Sequence, residues 1–247
     1  KTSHALLKKC NFDDQSELDM IKKFSKTKNI FLLDCGCNYG FYSFFTASLS
    51  DKNSIIAIEA SPKTAEDFKK NLILNNFKNV VLKNLAVSDT DGETVVFNES
   101  KNDWESSLNH SKFEDIKETN VKTNKIDTIL CDYNLVDYFL FIKLDIEGHE
   151  LQAIKGSTNI IKKYNPIFII ELSKYIFENN YDNFIFFKNF LINFDYSIYD
   201  TSNKNISPDE IMKLLNNLDV NHKTIGNYYL IKNNESLKKL LKNDKLI

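Results

Sequence analysis

Arginine is absent. All 32 basic side chains are lysines, set against 34 acidic ones, for a formal net charge of −2 over 247 residues. Without a guanidinium there is no bidentate fork for a phosphate or a guanine edge, so no nucleic-acid partner is expected. Glycine and proline are scarce, at 6 and 3 residues. That excludes collagen-like and low-complexity chains and leaves little linker, favouring one large domain over two small ones. Four cysteines, Cys10, Cys35, Cys37 and Cys131, are too few for a disulfide scaffold. Cys35 and Cys37 have no second pair or histidine cluster at zinc-ligand spacing, so no metal site is expected from them. No apolar run nears the roughly 18 residues of a membrane span; the longest are Phe139–Ile142 and Ile167–Ile170. No charged-then-apolar leader precedes a small-residue cleavage site, and a soluble, cytoplasmic protein is expected. With 42% apolar and 27% charged residues, wholesale disorder is excluded.

The hydrophobic pattern alternates between strand and helix. Ser16–Lys26 reads as a short amphipathic helix, and residues 1–28 as an N-terminal helical segment ahead of one domain over 29–247. Strands are expected at Asn29–Cys35, Ser54–Glu59, Val80–Val87, Thr94–Phe97, Tyr138–Ile146, Pro166–Leu172, Tyr196–Asp200 and Tyr228–Lys232. Helices are expected at Gly40–Leu49, Pro62–Asn76, Glu150–Lys163, Asp182–Phe194 and Pro208–Leu218, with a helical turn at Ile126–Leu130 and a lysine-rich helix at the end. Asn98–Asn124 is polar and irregular, and a loop of that length suggests a lid or substrate loop. Its Trp104 could stack on a base or sugar face, or simply pack the loop onto the sheet. Strands apolar on both faces must lie centrally in a parallel sheet, so the expected fold is a doubly wound α/β sheet, mostly parallel.

In such sheets ligands bind beyond the carboxyl ends of the strands. The first strand ends in Asp34-Cys35-Gly36-Cys37-Asn38-Tyr39-Gly40 and runs straight into a helix. Gly36 would let a ligand approach the backbone, and Gly40 would allow a tight helix entry whose amides can hold a carboxylate. Glu59 closes the second strand, where a carboxylate can accept from both hydroxyls of a ribose. A dinucleotide fold requires G-x-G-x-x-G, the extra glycine admitting a pyrophosphate. The spacing here is D-x-G-x-x-x-G, which suits S-adenosylmethionine, a nucleoside with an amino-acid head and no phosphate. Asp34 would partner the ammonium group or brace the loop.

These residues resemble the FkbM-type methyltransferases. The resemblance runs through Phe31–Ser43, Ile58-Glu-Ala-Ser-Pro62, Asn84–Asp89 with Gly92, Ser106-Ser-Leu108 and, most distinctively, Ile142-Lys-Leu-Asp-Ile-Glu-Gly-His-Glu-Leu151 with Lys155-Gly156. It covers about residues 29–175, with Cys35 and Cys37 in place of the usual Val and Ala. It implies a class I, Rossmann-like methyltransferase domain with an antiparallel last strand. The cofactor would be S-adenosylmethionine, bound by Asp34, Gly36, Asn38, Gly40, Glu59, Ala60, Ala86 and Asp145. The expected reaction is O-methylation of a hydroxyl on a sugar, glycan or related polyhydroxylated small molecule. An NAD(P) oxidoreductase or a non-catalytic nucleoside-binding module are the competing readings.

An alcohol is a poor nucleophile at neutral pH unless a base takes its proton. Lys143, Asp145 and Glu147 alternate, so on an extended strand they share a face, with Glu171 on the neighbouring strand end. Lys143, Asp145, Glu147 and Glu171 are therefore the expected catalytic set, Lys143 fixing the charge and position of the acids. Three carboxylates could hold Mg²⁺ or Ca²⁺, but no ligand spacing supports a metal and none is assigned. His149, the only histidine near the expected site, has a pKa range suited to a base, but the preferred reading is a helix-start histidine facing solvent. Asn165-Pro166 reads as a helix stop before the fifth strand, unlike the N-P-P-Y/F turn of amine methyltransferases, which disfavours an amine acceptor.

Overall fold

The computed structural model describes residues 14–99, 117–177, 181–218 and 224–242. Helix α1 (Gln15–Ser25) leads into β1 (Asn29–Cys35), α2 (Phe41–Leu49), β2 (Ser54–Glu59), α3 (Pro62–Asn75) and β3 (Val80–Asn84). After β4 (Ala86–Val87), β5 (Thr94–Glu99) and β6 (Lys117–Asn124) the chain forms α4 (Ile126–Ile129) and β7 (Tyr138–Leu144). Then come α5 (Glu150–Lys155), α6 (Thr158–Tyr164), β8 (Ile167–Ser173), α7 (Lys174–Phe177) and α8 (Tyr181–Asn193). The last elements are β9 (Tyr196–Asp200), β10 (Asn205–Ile206), α9 (Pro208–Asn216), β11 (Thr224–Lys232) and α10 (Glu235–Lys242).

The main sheet has eight strands in the order β10-β9-β11-β8-β7-β1-β2-β3. From β3 to β8 the pairings are parallel, whereas β11 runs antiparallel between β8 and β9. Successive side chains of a strand point to opposite faces, so β1 feeds two cores. Phe31, Leu33 and Cys35 pack with Ile142, Phe168 and Ile170 on one face. Ile30 and Leu32 pack with Phe141, Ile167 and Ile169 on the other, where α1 adds Leu18, Ile21 and Phe24. The aromatic α8 is core, as its spacing suggests: Phe184, Phe187 and Phe190 are buried. No helix among the described residues is long and apolar enough to cross a membrane.

Several elements differ from expectation. The strand expected over Val80–Val87 breaks at Leu85. The side-chain amide of Asn84 donates to the carbonyls of Glu59 (2.7 Å) and Ala60 (3.0 Å), and Ala86–Val87 then pairs with β6 in a separate three-stranded sheet, β4-β6-β5. Part of the expected irregular stretch is a strand: β6 pairs antiparallel with β5 from Thr94↔Lys122 to Glu99↔Lys117. Its polar composition hid it, since Val121 is its one apolar residue, buried with Phe97 and Ala86. The rest of that stretch, with Trp104, Ser106, Ser107, Leu108 and His110, lies outside the described residues, as do His4, Cys10 and His222. The helix expected over Glu150–Lys163 is two helices broken at Gly156, where a Cβ would run into the Ser88 carbonyl.

Candidate active site

A cavity of about 560 Å³ opens beyond the carboxyl ends of β1, β2 and β7, within the size range of small-molecule sites. β1 delivers Asp34 to its floor. The Asp34 side chain, 1% exposed, accepts from the Ser43 hydroxyl at 2.6 Å through Oδ2, while Oδ1 is buried without a hydrogen-bond partner. Burial raises its pKa, opposed by the charge of Lys143 and the Ser43 bond. The parallel register sets Asp34 beside Lys143 of β7.

The chain then turns through Gly36, Asn38 and Gly40, all at positive φ (77°, 47° and 94°). Gly36 is required by protein rather than by a ligand, since a Cβ there would strike the backbone carbonyl of Asp145. Gly40 caps α2, and a Cβ there would meet the rings of Phe44 and Phe68. Both glycines let the loop lie flat against its neighbours, which leaves the loop backbone on the cavity wall.

Glu59 ends β2 and is 8% exposed. Its Oε2 accepts from the Asn38 amide and its Oε1 from the Ser61 amide, both at 2.9 Å, so it braces the glycine loop against β2. A carboxylate has about four lone-pair sites, so Glu59 keeps acceptor capacity beyond its backbone amides, Ala60 among them. Burial pushes its pKa up to about 7 despite those bonds. Beyond it Ala60, Leu85, Ala86, Val87, Phe97 and Ile146 form an apolar slot.

The opposite end of the cavity is acidic. Lys143, 4% exposed, lies 2.7 Å from Asp145 Oδ2, with its ammonium 4.7 Å from the centre of the Tyr42 ring. Burial works against its charge, yet Asp145 and Asp34 outweigh burial and raise its pKa. Asp145, Glu147 and Glu171 each offer a carboxylate oxygen, all within 4.8 Å of one another. They do not meet in the expected way. β7 stops at Leu144, and Glu147 sits in the left-handed region (φ 53°), so a turn rather than an extended strand brings it to the others. Burial and then the charge of Asp145 raise the pKa of Glu171, against Lys143 and a hydrogen bond from Thr224.

His149 corrects its sequence reading. It lines the cavity, its Nε2 lies 3.2 Å from the Ser88 hydroxyl, and its Nδ1 is buried without a partner. Burial lowers its pKa. Sequence reasoning also passed over Asp14, Tyr42 and Glu150. Asp14 and Tyr42 line the cavity, and Glu150 lies behind it, its carboxylate holding the turn that carries Glu147. The acid at Glu150 in an otherwise apolar helix start was the available signal.

These acids set a pH dependence. The folded pKa values of Glu59 and Glu150, about 7 and about 8, lie above the ordinary 4.5. The native state therefore binds more protons than the unfolded chain, and stability falls as pH rises through those values. Asp91 and Glu210, with lowered values, act only below the ordinary carboxylate range, and His149 opposes only below 6.5. Between pH 6.5 and 8.5 the loss should be about 3 kcal/mol, or roughly 5–10 °C in melting temperature. A melting temperature that rises over that interval in scanning calorimetry would contradict the assignment.

Residues 34–230 match the model of the methyltransferase FkbM domain. The chain belongs to the FkbM methyltransferase family. A curated relative, "Methyltransferase 1" of Beauveria bassiana (strain ARSEF 2860), is 20% identical over 143 residues, 51% of this chain and 57% of its own. The chain thus spans little more than half of that relative's length. The crystal structure of an FkbM methyltransferase from Methylobacillus flagellatus KT superposes with a TM-score of 0.48 at 17% identity, over 82% of this chain and 43% of that one. A Staphylococcus aureus protein provisionally assigned as a caffeoyl-CoA O-methyltransferase gives 0.50 at 14% identity, over 94% and 92%. At such identities the likeness speaks for the fold alone. The chain has the class I, Rossmann-like sheet, with the antiparallel β11 inserted between β8 and β9.

Proposed function

We propose that this FkbM methyltransferase moves a methyl group from S-adenosylmethionine to a hydroxyl of a sugar, glycan or related polyhydroxylated small molecule, in the cytoplasm. The observation that supports the reading is one cavity lined by the glycine loop, Glu59 and apolar side chains together with Asp34, Lys143, Asp145 and Glu147. The residues fit the cofactor. The buried, unpartnered Asp34 Oδ1 lacks a donor, which an amino-acid ammonium would supply. The free lone pairs of Glu59 suit ribose hydroxyls, the slot at Ala60 and Ala86 suits a base, and the backbone at Gly36, Asn38 and Gly40 suits the methionine carboxylate. The bound cofactor supplies an electrophilic methyl group. The chain's own part is to align the acceptor, exclude water and receive a proton. We assign to Asp145, ion-paired with Lys143, the role of orienting or deprotonating the acceptor hydroxyl, with Glu147 and Glu171 beside it.

Calorimetric titration with S-adenosylmethionine, S-adenosylhomocysteine and NAD(H) tests the cofactor. The first two should bind and the dinucleotide should not; binding by NAD(H) alone would end the reading. Glu59→Ala should weaken S-adenosylmethionine about 10- to 100-fold, through both the ribose and the unbraced Asn38 amide. Unchanged affinity would remove Glu59 from the site. Mass spectrometry of glycans and free sugars incubated with labelled cofactor tests the acceptor.

A further inference from the structure

The 145–148 turn places Glu147 in the acidic end of the cavity, and this turn is unfavourable on its own. Glu147 and Gly148 occupy the left-handed region in succession, at φ 53° and 97°, and a non-glycine residue there is strained. On one side the turn is held by β1: the Asp145 amide donates to the Cys35 carbonyl at 3.2 Å, and the Asp145 carbonyl rests against Gly36. On the other side one atom binds it twice. Oε1 of Glu150 accepts from the Ile146 amide at 3.0 Å and from the Gly148 amide at 3.2 Å, gathering the two peptide groups that flank Glu147.

Glu150 does this at a cost to the fold. It is 1% exposed, its Oε2 has no partner, and it is not among the residues that face the cavity. Burial pushes its pKa up to about 8, against the backbone bonds it accepts. A buried, half-satisfied carboxyl is an expensive way to start a short helix, since an apolar side chain would pack there without desolvating a charge. Those two amides would then lose the acceptor they share.

We propose that Glu150 is a positioning residue: by binding the amides of Ile146 and Gly148 it fixes the turn that sets the Glu147 carboxylate beside Asp145 and Glu171. It acts through the backbone and touches neither cofactor nor acceptor. The proposal rests on the methyltransferase reading only for its consequence in turnover, because the geometry it concerns exists without any ligand.

The experiment uses the full chain with ¹³Cδ-labelled glutamate, following the titration of Glu171 by NMR in the absence of ligand. Glu171 is faced by Asp145, Glu147 and Asp14, by the ammonium of Lys143 and by the Thr224 hydroxyl. Withdrawing one of the acids should lower its midpoint by about one pH unit. Glu150→Ala should show that fall, and Glu150→Gln, which keeps the accepting Oε1, should leave the midpoint at the wild-type value. Where Glu150→Ala does not fold, Glu150→Asp, with the arm shortened by one methylene, takes its place. A folded Ala or Asp variant with the wild-type Glu171 midpoint overturns the proposal, as does a Gln variant displaced as far as Ala. Titration of wild type with S-adenosylmethionine runs alongside. Failure there would overturn the functional reading and leave the positioning result standing.

Discussion

Gly36→Ala should abolish cofactor binding and remove more than about 3 kcal/mol of stability, although it adds a single methyl group. Two separate penalties meet at this position. At φ 77° an L-residue is strained by about 1–2 kcal/mol. The added Cβ would also enter the van der Waals shell of the Asp145 carbonyl, and this obstacle is backbone rather than a flexible side-chain end. Either the end of β1 or the 145–148 turn must move, and both carry the walls of the cavity. Gly92 supplies the control. It has almost the same φ, 76°, but no atom lies within 4 Å of a Cβ built there. Gly92→Ala should therefore cost only the conformational part, about 1 kcal/mol, and leave affinity intact. Urea unfolding and calorimetric titration on the two variants separate strain from collision. Equal losses at the two positions would mean that the close approach of β1 to β7 is not what Gly36 serves.

Lys143→Met should be the most damaging change in the acidic end, lowering stability at pH 7 by about 3–5 kcal/mol, roughly 10 °C in melting temperature. The side chain is of similar size and its stem would still pack against Tyr42, so the loss would be electrostatic. Without the ammonium, Asp34 keeps one hydrogen bond, from Ser43, and Asp145 loses its 2.7 Å partner. The sign with pH is diagnostic. Removing the cation raises the folded pKa of Asp34 further above its unfolded value. The variant's deficit is therefore largest at high pH and shrinks as pH falls and the acid is neutralised. Asp34→Asn in the same background should recover part of the stability, because the buried charge is gone, and the double-mutant cycle should show coupling well above the few tenths of a kcal/mol of independent sites. Additive losses would show that the two charges do not depend on one another.

Most of the parallel sheet was legible because β1, β7 and β8 are apolar on both faces, a pattern only a central parallel strand can bury. The sequence expectation set Gly36, Glu59, Lys143 and Asp145 near the carboxyl ends of strands, and these residues line the cavity, whereas Glu171 is not among its lining residues. What the residues do there was less legible. The need for glycine at positions 36 and 40 comes from contacts with Asp145, Phe44 and Phe68, which no spacing within the loop reveals. β6 was missed because hydrophobic alternation needs more than the single Val121 to register. The need for glycine at 156, where the helix breaks, comes from the Ser88 carbonyl, far away in the chain. Glu147 was expected on an extended strand because the left-handed turn beneath it depends on Glu150, an acid whose own reason for burial is invisible without the fold.

The insertion of β11 between β8 and β9 bears on synthesis. Thr224 of β11 and Leu172 of β8 share a hydrogen bond across 52 positions of chain. At roughly 5–20 residues per second a ribosome needs about 3–10 s to cover that distance. Through that interval one edge of β8, joined in its later half by β9, exposes backbone donors and acceptors that β11 will pair, the template on which nascent chains pair with one another. The pace of translation between β8 and β11 would thus bear on yield alongside the stability of the folded chain.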